Sequence, residues 1–167
     1  MLLINNDNST RPDHNSNNAQ QAAGSFDVKS RTFFLTYPRA NGLTHDDIKD
    51  CIVENKGERF RQKPTKWLIG QENHEPTEGD EYIGIHFHCY FEYKEPIRIR
   101  NPRYFDINAN IEEEVEEGVT VVVNKVFHPN VQSARKSRDV ARYCAKKDDY
   151  IASDNFDLLA KKKRSFR

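Results

Sequence analysis

The sequence predicts an α+β domain: a central antiparallel sheet of about five strands with flanking helices. Three observations carry this reading. Residues 82–93 alternate as one strand with a single buried face, with Ile83, Ile85, Phe87, Cys89, Phe91 and Tyr93 at odd positions and His86, His88, Tyr90 and Glu92 among the even ones. The other extended segments are one-faced as well, which favours antiparallel pairing over a doubly wound parallel sheet. Helical period is confined to two short stretches.

At 167 residues the chain has room for one domain and a tail. Apolar residues make up 36%, below the roughly 45–50% of an ordinary domain, so part of the chain is read as unpacked. Residues 1–25 hold six Asn and three charges and show no period; they read as a disordered leader. Residues 26–155 read as the folded domain. Residues 156–167 read as a basic tail or linker, since Lys161–Arg167 carries five positive charges and no negative one. No apolar run reaches the ~18 residues of a membrane span. The three cysteines, Cys51, Cys89 and Cys144, form neither a disulfide framework nor a zinc pattern and read as reduced thiols of an intracellular protein.

In chain order, Arg31–Tyr37 is aromatic and β-branched and stops at Pro38, so it reads as a strand. Thr44 can cap a helix with Asp46 and Asp47 in its first turn, an apolar stripe at Ile48, Cys51 and Ile52, and Gly57 at its end. Lys66–Asn73 is a second strand, with Trp67 and Ile69 on one face and Glu72 on the other. Residues 82–93 are the third. Tyr104–Ile107 reads as a short strand, Ile111–Gly118 as a solvated insert with five Glu in residues 112–117, and Thr120–Phe127 as extended. Ser137 can cap a helix running to about Asp148, and Tyr150-Ile151 can add an edge strand.

His86 and His88 leave the same face of one strand, the spacing needed to offer two imidazoles to one metal. The pair alone is weak evidence. Glu72 strengthens it, because it lies in the matching register of the preceding strand, and pairing of the two strands would let a carboxylate and two imidazoles converge. Such a set leaves coordination positions open and suits Mg²⁺ or Mn²⁺ with a substrate phosphate; zinc is chemically allowed, but no thiolate accompanies the set. In the second helix, Val140, Ala141, Cys144 and Ala145 span an arc of roughly 140°. Tyr143 falls outside it, beside Lys146. A phenol is a poor nucleophile at neutral pH, but a metal-bound phosphate would compensate.

Phe34-Leu35-Thr36-Tyr37-Pro38, His86-Phe87-His88 and Tyr143-Cys144-Ala145-Lys146, in this order, resemble the three motifs of the HUH endonuclease domain of replication-initiator (Rep) proteins from circular single-stranded DNA viruses and plasmids. Arg103–Ile107 and Phe127–Gln132 are similar to the recognition segment of geminivirus Reps. The resemblance implies an RRM/ferredoxin-like fold and a metal-dependent nickase and ligase that initiates rolling-circle replication. His86, His88 and Glu72 would match the metal ligands, with Asp148 a further candidate. Tyr143 would match the nucleophile that becomes joined to the 5′-phosphate, and Lys146 the motif-three lysine. Phe34–Pro38 would match a motif tied to DNA recognition and to packing beside the site. The implied partner is single-stranded origin DNA in a stem-loop. A helicase domain, for which this chain has no room, and host replication factors would be further partners, and the host nucleus the place of action. There are two departures. Lys147 stands where an acidic residue is typical, and the glutamate-rich stretch lengthens the recognition segment.

Net charge is zero, so any polyanion contact must be local. The set read as DNA-facing is Phe34, Thr36, Tyr37, Arg39, Arg103, Tyr104, Phe105, His128, Asn130, Arg135 and Lys136. Residues 131–147 hold six positive charges against one negative, and residues 94–103 hold Lys94, Arg98, Arg100 and Arg103 against Glu95. Lys56, Arg59, Arg61, Lys63 and Lys66 read as a solvated face. No GxxxxGK[ST] phosphate loop is present. Two other readings remain open: a non-catalytic RRM-like nucleic-acid module, and a small metallohydrolase that activates water and has no use for Tyr143.

Overall fold

The computed structural model describes residues 26–81 and 84–157. The leader 1–25, Tyr82 and Ile83, and the tail from residue 158 lie outside the described residues. The strands are β1 (Val28–Tyr37), β2 (Lys66–His74), β3 (Gly84–Ile99), β4 (Ile107–Glu116), β5 (Val119–Phe127), β6 (Asn130–Ser133) and β7 (Tyr150–Ala152). Five of them form one sheet in the order β6-β1-β3-β2-β7, and every neighbouring pair is antiparallel. The helices are α1 (His45–Ile48), which continues into a π-helical turn Lys49–Val53, and α2 (Ser137–Cys144).

The two sheet faces build two cores. Phe33, Leu35, Tyr37, Phe87, Cys89, Phe91 and Ile69 face one side and pack with Ile48, Ile52, Phe60, Phe105, Ile107 and Ile111. Leu68 and Tyr90 face the other, where Ala141 and Cys144 of α2 and its C-cap Ala145 cover them. The alternation of β3 thus sends its odd residues to the first core. Thr44 caps α1 as the sequence suggests: its hydroxyl accepts from Asp47 N (3.1 Å), and the Asp47 carboxylate accepts from Thr44 N (3.0 Å).

Several elements differ from the sequence reading. Residues 102–105 are turns, because the Asn101 side chain accepts from Arg103 N and the Asn101 carbonyl from Tyr104 N; the strand begins at Ile107. The glutamate-rich stretch is the distal half of β4, paired with β5 in a separate two-stranded ribbon. Its Glu112, Glu114 and Glu116 are exposed, and so are Val115 and the facing Val119, Val121 and Val122, so this half of the ribbon has no buried face, and Gly118 (φ +77°) supplies the turn. The fifth sheet strand is therefore β6, which the sequence reading missed; the Thr120–Phe127 segment lies outside the sheet. Helix α2 ends at Cys144, not Asp148, and Lys136 rather than Ser137 occupies its cap position, without a side-chain cap hydrogen bond.

Gly70 of β2 sets where α2 lies. A Cβ at this position would sit 1.8 Å from the Cys144 carbonyl oxygen, so only glycine lets the end of α2 rest on the sheet. Gly70→Ala is expected to lower unfolding free energy by about 1–3 kcal/mol through overpacking, measured by chemical denaturation; an unchanged midpoint would show that α2 moves away freely.

Candidate metal and nucleophile site

Strand register builds the site. Glu72 pairs directly with His86, and Gly70 pairs with His88. Extending the second pairing gives one row across the whole sheet, Asn130–Thr36–His88–Gly70–Tyr150. Because paired residues share a face, the row shows its polar side chains to α2. Glu72 Oε2 lies 3.4 Å from Nε2 of both His86 and His88. One ligand atom from each of the three residues falls within 4.8 Å of the others.

Each ligand is held by its surroundings. His88 is 7% exposed. Its Nδ1 lies 3.2 Å from Thr36 Oγ1, and its ring stacks on Phe34 at 5.8 Å. The tautomer that leaves Nε2 free to ligate donates from Nδ1 to Thr36, which fixes the ring orientation. Burial, and then the neighbouring His86, push the His88 pKa down to about 4, so it stays neutral, as a metal ligand must. Burial alone would raise the Glu72 carboxyl. Lys146 and His86 outweigh it and hold the group below the usual carboxylate value. Lys146 Nζ is 3.2 Å from Glu72 Oε2, yet this oxygen is sealed from solvent and has no hydrogen bond of good geometry. A solvent-sealed carboxylate oxygen facing two imidazole nitrogens fits a divalent cation.

Tyr143 projects from the side of α2 away from Ala141 and Cys144 and is 46% exposed. Its ring lies 4.9 Å from that of His88 and 5.9 Å from that of Phe34. Lys146 Nζ sits 4.0 Å from the Tyr143 ring centroid. The Lys146 ammonium therefore bridges phenol and carboxylate. Burial would lower its pKa, but Glu72 and Tyr143 raise it overall. Three other tyrosines differ. Tyr37 and Tyr90 are buried and shifted upward by that burial, and Tyr150 lies beyond Gly70 on the edge strand β7.

The structure brings together Glu72, His86, His88, Tyr143 and Lys146, with Phe34 and Thr36 supporting His88 from β1. Asp148 does not join them. It is exposed, in a turn with φ +60° whose N–H donates to the Ala145 carbonyl. Tyr37 and Phe105, read as DNA-facing, are fully buried, and the Tyr37 hydroxyl donates to the Phe105 carbonyl at 2.6 Å. Their aromatic character serves the core. Tyr104 is half-buried against Phe60. Arg103 and His128 both pair with Asp106, and Arg39 pairs with Asp80. Asn130, Arg135 and Lys136 are exposed. The sequence reading did not give Gly70 its role; a glycine inside an otherwise regular strand was the available signal. Cys51, Cys89 and Cys144 are free thiols, and burial pushes Cys144 up to about 12.

Fold and site together define a sheet-borne carboxylate–imidazole centre with a helix-borne tyrosine beside it. Residues 26–158 match the family model of the geminivirus Rep catalytic domain, and the chain belongs to that family. It is similar to Replication-associated protein A of Chloris striate mosaic virus (25% identity; 72% of this chain, 32% of that protein). It is also similar to Replication-associated protein A of Tobacco yellow dwarf virus (26%; 83% and 38%) and to the Replication-associated protein of Cabbage leaf curl virus (27%; 80% and 33%). The chain thus spans roughly a third of the length of these relatives. Among the described residues no helix is long and apolar enough to cross a membrane.

Because a ligand that binds only the native state raises its stability, saturating Mn²⁺ is expected to lift the melting temperature by several degrees. His86→Ala should lose that shift while melting normally without metal; an equal Mn²⁺ shift in the variant would remove His86 from the ligand set.

Proposed function

We propose that this domain initiates rolling-circle replication by cutting single-stranded origin DNA with Tyr143 and later rejoining it. The carrying observation is the convergence of Tyr143 and Lys146 on the Glu72–His86–His88 cluster, within a member of the Rep catalytic-domain family. Glu72, His86 and His88 would hold Mg²⁺ or Mn²⁺, whose charge draws electron density from the scissile phosphate oxygens. The phenol oxygen of Tyr143 attacks phosphorus, a Tyr–O–P bond forms, and the P–O3′ bond breaks. The phenol releases its proton to solvent as it attacks, and the leaving 3′-oxygen keeps the electron pair and takes a proton from solvent, giving a free 3′-hydroxyl and a 5′-phosphotyrosine. One phosphodiester replaces another, so the step runs in reverse and the same site joins ends. Lys146 stabilises the developing phenolate and positions the phosphate. Phe34 and Thr36 keep His88 in its ligating orientation.

The substrate is the single-stranded loop of an origin stem-loop. Asn130, which shares the His88 row, and Arg135 and Lys136, which precede α2, contact it. Arg39, Arg103 and His128 are free to reach DNA only by leaving their carboxylate partners. A helicase domain, host replication factors and action in the host nucleus complete the reading.

With an origin oligonucleotide and Mn²⁺, Tyr143→Phe is expected to abolish both cleavage and the covalent adduct while DNA binding and melting temperature persist. Excess EDTA should stop the wild-type reaction. Adduct mapped by mass spectrometry to another tyrosine would overturn the assignment, and cutting without adduct would favour a water-activating hydrolase. Neutralising both Arg135 and Lys136 should flatten the log–log salt dependence of binding to this single strand by about 1.4 units; an unchanged slope would remove them from the footprint.

A further inference from the structure

The sheet face that bears Glu72, His86 and His88 carries a third histidine with no part in the cleavage step. His74 ends β2, two residues after Glu72, and so shares its face. Its partner across the strands is Gly84, which offers no side chain, and the imidazole lies beside that of His86 instead. The two ring centroids are 5.9 Å apart and meet edge to face at 76°. His86 meets His88 at 4.7 Å and 72°, and His88 meets Tyr143 at 4.9 Å and 67°. The rings of His74, His86, His88 and Tyr143 therefore form one file across the site, with His86 wedged between two other imidazoles.

His74 is itself anchored. Its Nε2 lies 3.2 Å from Asp80 Oδ2, and Asp80 Oδ1 lies 3.3 Å from Arg39 Nη2. The Asp80 carboxylate thus ties the end of β2 to the loop that follows β1. The backbone on both sides is fixed. Asp80 and Thr77 exchange two hydrogen bonds of 2.9 Å, around a turn in which Gly79 takes φ +88°, a conformation that a side chain would strain. Beyond Arg39, Ala40 N donates to the Ile85 carbonyl (2.8 Å) and the Asn41 side chain accepts from Ile85 N (2.9 Å). His74 is not among the residues whose ligand atoms converge, which are Glu72, His86 and His88. Its place matches that of Phe34 beside His88, where a ring and a polar group on a neighbouring element hold the ligand imidazole. An imidazole already turned toward a cation binds it without having to be ordered first, so groups that fix the ring raise affinity.

We propose that His74, held by Asp80, is a positioning residue that sets the ring orientation of His86 and thereby tunes divalent-cation affinity from the β2–β3 connection. This role rests on the metal-dependent cleavage proposed above and adds the support of the second imidazole ligand.

Calorimetric titration with Mn²⁺ tests it on wild type, His74→Ala, His74→Phe, Asp80→Ala and the double variant His74→Ala/Asp80→Ala. Each single variant is expected to bind Mn²⁺ about tenfold more weakly, while melting like wild type in the absence of metal. His74→Phe keeps a ring beside His86 but gives Asp80 no polar atom to hold, so it should fall with Asp80→Ala. Because the two residues act along one path, the double variant should bind no more weakly than either single one. In metal-free protein at fixed pH, the ring-nitrogen NMR signals of His86 should be sharp in wild type and broadened or averaged in the variants. Unchanged Mn²⁺ affinity in the single variants, losses that add in the double, or sharp wild-type His86 signals in His74→Ala would overturn the proposal. A wild-type Mn²⁺ titration no different from that of His86→Ala would instead defeat the metal reading, and the metal-free His86 signals would then decide whether His74 orders the ring.

Discussion

The close approach of α2 to β2 at Gly70 is the contact on which the site depends. With the end of α2 resting on the backbone at Gly70, Tyr143 is carried to the edge of the His88 ring and Lys146 to Glu72. The apolar face of α2 and its C-cap is made of small residues, Ala141, Cys144 and the capping Ala145, which allow the helix to lie low over Leu68 and Tyr90. A larger residue on either side of this contact would raise the helix and separate the phenol from the imidazoles without touching either.

Register makes the second contribution. The antiparallel pairing of β2 and β3 sets Glu72 opposite His86. A slip of one residue would turn Glu72 to the other face, into a core of Phe, Leu and Ile. The large buried aromatics on that face, Phe33, Phe87, Phe91 and Phe105, therefore hold the polar face in register. Tyr37 belongs with them, despite lying in the first motif.

Charge is distributed rather than summed. A neutral chain places a carboxylate between two imidazoles and a lysine on one face, and collects arginines at the far end of β3. The glutamates instead occupy a ribbon that leaves the sheet. Its alternation keeps Ala109 and Ile111 in the core and holds Glu112 and Glu114 in solvent, so the acidic run lengthens the hairpin without disturbing the fold that bears the site.

By itself the sequence determined the β3 alternation, the Thr44 cap, and the exposure of Tyr143 on the polar side of its helix, because each follows from a local period or a local hydrogen bond; it read the strands as one-faced, whereas α2 closes a second core over Leu68 and Tyr90. It also brought Glu72, His86 and His88 into one candidate set, since strand alternation alone settles which face each occupies. It misplaced the strand at 104–107, missed β6, and read the glutamate-rich half of β4 as an insert. Turn hydrogen bonds at Asn101, a four-residue edge pairing with β1, and a ribbon whose distal half buries neither face leave little trace in hydrophobic period. Only the tertiary structure decided that Tyr37 and Phe105 are core, that Thr36 orients His88, and that Gly70 admits α2. Each of these depends on contacts between residues distant in the chain, which no local pattern encodes.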